Sequence, residues 1–469
     1  MDGSPMFVLG VAGLDLNGRA MKELLCNGLQ MAAAANVPAM TLELAQELLN
    51  SRASLSVSPT VLGHTAQLPS NLPCEDAVSS SFVPILSDRE RDWSQWSIYD
   101  GHDGPRTAQM LHDMLPFLVG SFLSEAAGLS RLYKPRDGRV IEAIRKAFVF
   151  ADDLIVSLPR DLVQSGGSGL ATTVAMAALS QSGSCALMAL YDSGTSVLRV
   201  ANTGDSRAVL GTWSAEDEQY VAMPMSQDQT GFNEDRVERT KRDDEHEEPV
   251  GSKSGRTLET AVSRAFGDAR WKWPKEIIER AHEMFWGPAP RPGGFISTVP
   301  HSTVDPVMSE TEVRTGARPD FLIMASGSLW DVMSSEDAVA CVQLWLEKNK
   351  PTDCMDTKNI TRTDLFDVHQ QITSGGSPTL ESMFDVPDDE DTYYDKERKC
   401  LKWRVSPKHF VNEDRNCGVN MIKNALGGKR RGLFTGLMSL QPPLSKTVRD
   451  DITVQVFFFG VDTQDLKNN

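Results

Sequence analysis

The stretch Trp96-Ser-Ile-Tyr-Asp-Gly-His-Asp-Gly104 decides the fold. Trp96 to Tyr99 are aromatic or β-branched around one serine and run straight into turn residues, which predicts a short buried strand. Asp100-Gly101-His102-Asp103-Gly104 then demands a tight turn, and Pro105 stands where a helix would begin. A carboxylate at a strand end, a glycine whose carbonyl can be approached closely and a neighbouring histidine make a metal and proton-transfer corner. Taken alone, the pentapeptide is better read as a strand–turn–helix junction with Asp103 near a helix N-cap. The recurrence of carboxylate turns along the chain shifts that balance.

Upstream, Asn71-Leu-Pro-Cys-Glu-Asp-Ala-Val78 sets Glu75 and Asp76 ahead of an apolar strand, where the plain alternative is a solvated turn. Downstream, Ala108, Leu111, Leu115 and Leu118 recur at helical spacing within Pro105 to Phe122. Ile141, Ile144, Phe148, Ala151 and Ile155 repeat the pattern, and both stripes face a core. Ala171-Thr-Thr-Val-Ala175 predicts a strand. Gly183 to Asp192 and Val197 to Ala201 follow as paired strands; the second leads into Asn202-Thr-Gly-Asp-Ser-Arg207, a bend at Gly204-Asp205, and a strand from Ala208. Asp320 to Ala325 is a buried strand, Gly327-Ser328 a turn, and Ser335-Glu-Asp-Ala a helix start for Ala338 to Leu346. Arg449 to Phe459 is a turn feeding one long buried strand. Gln227 to Pro249 is strongly charged, and residues from about 350 to 400 are polar with an acidic cluster at Asp388-Asp-Glu-Asp391, the signature of an insertion. Residues 1–55 read as an accessory segment with helix-like runs at Met21 to Met31 and Thr41 to Leu49.

Composition narrows the classes. The 469 residues are 40% hydrophobic, ample for a core, and carry a net charge of −17. That balance argues against a nucleic-acid surface, which needs a concentrated basic face; Arg270-Trp-Lys-Trp-Pro274 is accordingly read as a packed loop rather than a base-stacking platform. Seven dispersed cysteines without a C-x-x-C pair suggest a reducing, intracellular compartment. No run approaches the roughly 18 apolar residues of a membrane span. The first residues carry Asp2 and no Arg-rich amphipathic pattern, so no signal or transit peptide is evident.

In order along the chain, Glu75-Asp76, Asp100-Gly-His-Asp-Gly104, Ser168-Gly-Leu-Ala-Thr-Thr173, Gly183-Ser-Cys-Ala186, Thr203-Gly-Asp-Ser-Arg207, Ser263-Arg-Ala-Phe-Gly-Asp268, Ala325-Ser-Gly-Ser-Leu-Trp-Asp331 and Asp450-Asp-Ile-Thr453 resemble the metal-dependent protein phosphatase family, type 2C. Asp228-Gln-Thr-Gly-Phe-Asn233 and Asn424-Ala-Leu-Gly-Gly428 look most like its pyruvate dehydrogenase phosphatase branch. The resemblance implies an α+β fold, a four-layer α-β-β-α sandwich of two antiparallel sheets flanked by helices, over residues 56–460, with an insertion at about 350–400 and a tail at 461–469. It implies two Mg2+ or Mn2+ ions and a third, looser one. Asp100 would bridge the ions, the Gly101 carbonyl and Asp450 would complete them, Glu75 and Asp76 would hold metal-bound waters, Asp205 would hold the third ion, and His102 would protonate the leaving oxygen. Hard cations suit such oxygen donors. The implied partner is a phosphoprotein, such as a dehydrogenase complex or a kinase target, without nucleic acid or a membrane span; the branch is mitochondrial, and the cytoplasm stays open.

Two positions depart from the family pattern. Gly327 stands where an aspartate ordinarily ligates metal, and Asn71 where an arginine ordinarily clamps phosphate. Two functions follow: a serine/threonine phosphatase of reduced activity, or a phosphatase-shaped binding module (a pseudophosphatase).

Overall fold

Strand β16 (Ile452–Phe459) is the spine of the molecule and is buried along its whole length. Its sequence, Ile-Thr-Val-Gln-Val-Phe-Phe-Phe, is nearly continuously apolar because both faces are covered. Val454, Val456 and Phe458 turn toward a helix layer, whereas Phe457 and Phe459 turn toward the second sheet. The computed structural model describes residues 40–84, 92–128, 138–166, 169–229, 264–289, 304–356, 392–395 and 400–461.

β16 lies inside a six-stranded sheet with β1 (Ala53–Val57), β2 (Val61–Leu68), β13 (Phe321–Ala325), β9 (Arg207–Ser214) and β10 (Gln219–Pro224), in the order β1-β2-β16-β13-β9-β10. The facing sheet has the order β12-β8-β7-β4-β3, built from β3 (Ala77–Pro84), β4 (Asp92–Tyr99), β7 (Ala186–Asp192), β8 (Val197–Thr203) and β12 (Val307–Glu312). Every pairing in both sheets is antiparallel. Between them Trp96 stacks on Phe457 with ring centroids 4.1 Å apart, and Leu187, Leu198, Leu322 and Met324 fill the remaining space. Each such fully buried side chain contributes roughly 1.5–3 kcal/mol.

Helices cover both outer faces. The long helices α2 (Arg106–Gly128) and α3 (Gly138–Ser165) lay Leu111, Leu115, Ile144 and Phe148 against Trp93, Met188 and Leu190 of the five-stranded sheet. On the other side α1 (Leu42–Asn50) and a later helix, Ser335–Leu346, bring Leu48, Leu49, Val342 and Trp345 onto Ile323, Val456 and Phe458. The expected four-layer sandwich is therefore the observed one. The expected boundary at residues 55/56 falls inside β1, and α1 belongs to the core: its apolar residues meet the sheet, which sequence spacing alone did not announce.

One element is corrected. Residues 171–175, expected as a strand from their Thr-Thr-Val run, lie in a helix, α4 (Leu170–Gln181). The Ala-Met-Ala-Ala-Leu continuation is strongly helix-forming, and Thr173, Ala177 and Ser180 share one buried face against α3. The Thr173 hydroxyl donates back to the Gly169 carbonyl at 3.0 Å, so this buried polar group is satisfied within the helix itself. The run 183–192 also divides, into β6 (Gly183–Ser184) and β7, at Cys185, whose N–H turns to the Asp100 carbonyl at 2.9 Å. The helix-like Met21 to Met31, the charged stretch beyond Gln229 and the acidic cluster at Asp388 to Asp391 lie outside the described residues. Among the described residues no helix is long and apolar enough to cross a membrane.

Candidate metal centre and active site

The turn after β4 opens one end of the sandwich. Gly101-His102 forms a two-residue strand, β5, paired with β6, which in turn pairs with β11 (Phe266–Gly267). This small sheet locks the turn in place. Gly101 is packed so closely on the Glu75 backbone that any β-carbon would collide with its carbonyl. Sequence alone required a glycine here; the close approach supplies the reason.

Asp100 is the hub. Its Oδ2 accepts the Gly327 N–H at 2.9 Å. Burial, and after it the negative charges of Asp205 and Asp450, push its pKa up to about 7 against that one favourable hydrogen bond. Asp76 is buried, with Oδ2 receiving the Thr453 hydroxyl at 2.6 Å and Oδ1 without a hydrogen-bond partner among the described residues. Burial first, then the charge of Asp100, hold its pKa well above the carboxylate range. Asp205 is likewise raised, chiefly by burial, and accepts the Cys185 thiol at 3.3 Å. A β-carbon on Gly327 would sit 3.3 Å from the Asp205 carboxylate, so that position faces the cluster.

The third side of the corner is the 70–75 loop against the start of β16. One oxygen from each of Glu75, Asp450 and Asp451 lies within 4.8 Å of the others, a spacing that could hold a cation. Asp451 is buried and ties the loop together: it accepts the backbone N–H groups of Ser70, Asn71 (2.9 Å) and Glu75 (2.8 Å). Asn71 gives its amide to Asp450 Oδ1 at 2.8 Å and to Asp451 Oδ2 at 2.9 Å. Glu75 receives the Gly104 N–H at 2.8 Å on one oxygen and the Lys446 ammonium at 3.0 Å on the other.

His102 stands at the rim. Its Nε2 is 3.1 Å from both oxygens of Asp268. Burial pulls the imidazole pKa down, but the charge and hydrogen bond of Asp268, aided by Asp100 and Asp103, outweigh it and raise the pKa to about 9. Asp268 has a left-handed backbone, φ 52°, and is held by its N–H to the Ser182 carbonyl at 3.1 Å. The preceding Gly267 N–H donates to Asp152 at 2.9 Å, and Asp152 is paired with the buried Lys272 at 2.8 Å.

The expected Glu75, Asp76, Asp100, Asp205 and Asp450 thus meet at one end of the sandwich, beside Gly101 and His102. Burial lifts Asp76, Asp100 and Asp205, like charge adds to the lift at Asp76 and Asp100, and Asp76 keeps a buried oxygen without a hydrogen-bond partner among the described residues; such a donor set fits a hard divalent cation. Sequence reasoning assigned no role to Asp268, Asp451 or Lys446. The first two sit inside quoted motifs, Ser263 to Asp268 and Asp450 to Thr453, so the signal was present; Lys446 carries none.

Comparison with known proteins agrees with this geometry. A family model described as Protein phosphatase 2C matches residues 70–364, more than half of the chain, and the chain belongs to that family. A protein phosphatase 2C homolog of Schizosaccharomyces pombe is 33% identical over 407 residues, covering 85% of this chain and 80% of the relative. The mitochondrial [pyruvate dehydrogenase [acetyl-transferring]]-phosphatase 1 of Saccharomyces cerevisiae is 31% identical over 423 residues, 84% of this chain and 68% of that one. Its human counterpart is 30% identical over 280 residues, 56% of this chain and 45% of the relative.

Proposed function

We propose that this chain is a serine/threonine phosphoprotein phosphatase that works with Mg2+ or Mn2+. The observation that carries the reading is the convergence of Asp100, Asp76, Glu75, Asp205 and Asp450, with Asp76 Oδ1 unpartnered among the described residues. Asp100, the Gly101 carbonyl and Asp450 would hold two cations, Asp205 a third, and Glu75 and Asp76 would act through bound waters. Such ions activate a water near neutral pH and neutralise a phosphate dianion.

His102 supplies the proton for the departing serine or threonine oxygen. Asp268 occupies Nε2, so Nδ1 is the ring nitrogen available for delivery. With its pKa raised to about 9, the imidazole carries its proton at neutral pH, as a general acid must. Asp268 orients the ring, and the Asp152–Lys272 pair behind Gly267 fixes Asp268.

The named relatives extend the reading to a phosphorylated subunit of a dehydrogenase complex as substrate and to the mitochondrion as compartment. The catalytic unit we propose runs from α1 to the end of β16. Gly327 favours a second reading, a phosphatase-shaped binding module, because glycine brings no carboxylate to the cluster.

Hydrolysis of a phosphothreonine peptide across a wide Mn2+ titration separates the two. The phosphatase reading expects turnover that rises with Mn2+ and falls on the order of a thousandfold or more in Asp100→Asn, which removes the shared ligand. A wild type silent at every Mn2+ concentration sinks it.

A further inference from the structure

We infer that Lys446 is the cation that receives the substrate phosphate at this corner; the inference rests on the phosphatase reading above. A phosphate dianion approaching this many carboxylates needs a positive group able to reach it. Asn71, at the position where an arginine was expected, is neutral, and its amide is already directed to Asp450 and Asp451. Arg449 is buried, and its guanidinium is turned to the Pro69 carbonyl at 3.1 Å and to the Ser70 hydroxyl. Arg207 is held by both oxygens of Asp228 and lies over the Trp330 ring, 4.9 Å from its centroid.

Lys446 is different. Its ammonium meets one carboxylate oxygen, Glu75 Oε2, at 3.0 Å, and its side chain is 50% exposed at the mouth of the corner. Its backbone is fixed where it must be. The neighbouring Ser445 is fully buried and donates to the Ser70 carbonyl at 2.8 Å, which pins the short 3-10 turn Leu444–Thr447 to the loop bearing Asn71 and Glu75. A rigid base with a flexible, strongly hydrated ammonium at its tip suits a group that leaves Glu75 when an anion enters. With the lysine half exposed, water screens the pair with Glu75 and weakens its hold on the ammonium.

The test uses the full chain and three variants, Lys446→Met, Lys446→Arg and Lys446→Glu. Calorimetry with inorganic phosphate in saturating Mn2+ reads the anion, calorimetry with Mn2+ alone reads the metal, and phosphothreonine peptide hydrolysis reads KM and kcat separately. Lys446→Met should weaken phosphate binding and raise KM about tenfold, the size of one partly exposed charge-assisted hydrogen bond, with kcat changed less than about threefold. Lys446→Arg should restore most of both, and Lys446→Glu should lose more than Lys446→Met. Mn2+ affinity in Lys446→Met should hold or rise, because the ammonium that competes for Glu75 is gone. The inference is overturned if the wild type binds no phosphate, if Lys446→Met binds it unchanged, or if Mn2+ affinity falls in step with phosphate affinity. Absence of peptide hydrolysis in the wild type removes the phosphatase reading, and the phosphate titration then still decides Lys446. Normal hydrolysis with an unchanged KM in Lys446→Met removes only the role of Lys446.

Discussion

Two buried polar regions of this protein differ in how their charges are partnered. In the helix layer behind the six-stranded sheet, Lys423 and Asp414 are each 2% exposed and pair at 2.9 Å. Trp345 Nε1 donates to the Asp414 carbonyl at 2.8 Å, and the Asn424 amide reaches the carbonyls of Val411 and Asn420 at 3.0 and 2.9 Å. Charge there is matched locally. At the end of the sandwich, carboxylates gather with a half-exposed lysine and a histidine beside them, and Asp76 Oδ1 has no hydrogen-bond partner among the described residues. The first arrangement holds helices to the sheet. Burial raises the pKa of Asp414 as well, but Lys423 opposes it, whereas at Asp76 and Asp100 like charge adds to burial, and perturbed groups gathered in this way are characteristic of sites that bind or react.

The largest expected effect breaks the balanced region. Lys423→Met leaves Asp414 buried without its cation and should destabilise the fold by about 3–5 kcal/mol in urea unfolding. Mn2+ affinity should not change; a parallel loss would show that the two regions are one system. Next comes Gly327→Asp, which adds a carboxylate beside Asp205. Metal-free stability should fall by about 1 kcal/mol, whereas Mn2+ affinity should rise about 10–100-fold. Movement of both in the same direction contradicts the idea that this corner is destabilised in the service of a cation. The smallest effect concerns the rim. Asp268→Asn should lower kcat at neutral pH about tenfold. An acid is active below its pKa, so the wild type keeps the His102 proton until about pH 9. The variant should lose activity as pH rises from about 6.5, the ordinary histidine value. An unshifted alkaline limb in the pH profile would assign that proton elsewhere.

Much of this was legible in the chain. The carboxylate turns at Glu75-Asp76, Asp100-Gly101, Gly204-Asp205 and Asp450-Asp451 sit at strand ends, where turn chemistry is local and a motif can be read without its neighbours. The long β16 was legible because burial on both faces writes a nearly continuous apolar run. The helix at Leu170–Gln181 was misread because a five-residue window of β-branched residues carries less information than the twelve-residue face it belongs to.

The sequence by itself determined the order of motifs and the residue types at the metal-compatible end, since these depend on backbone preference over a few residues, and the resemblance that those motifs carry implied the sandwich. Only the tertiary structure decided which groups meet. Asp268 reaches His102 across 166 positions, Asp451 gathers the Ser70–Glu75 loop from about 380 positions away, and Lys446 faces Glu75 across 371. Such pairings are set by how two sheets close on a core, and closure is a property of the whole chain that no local pattern encodes.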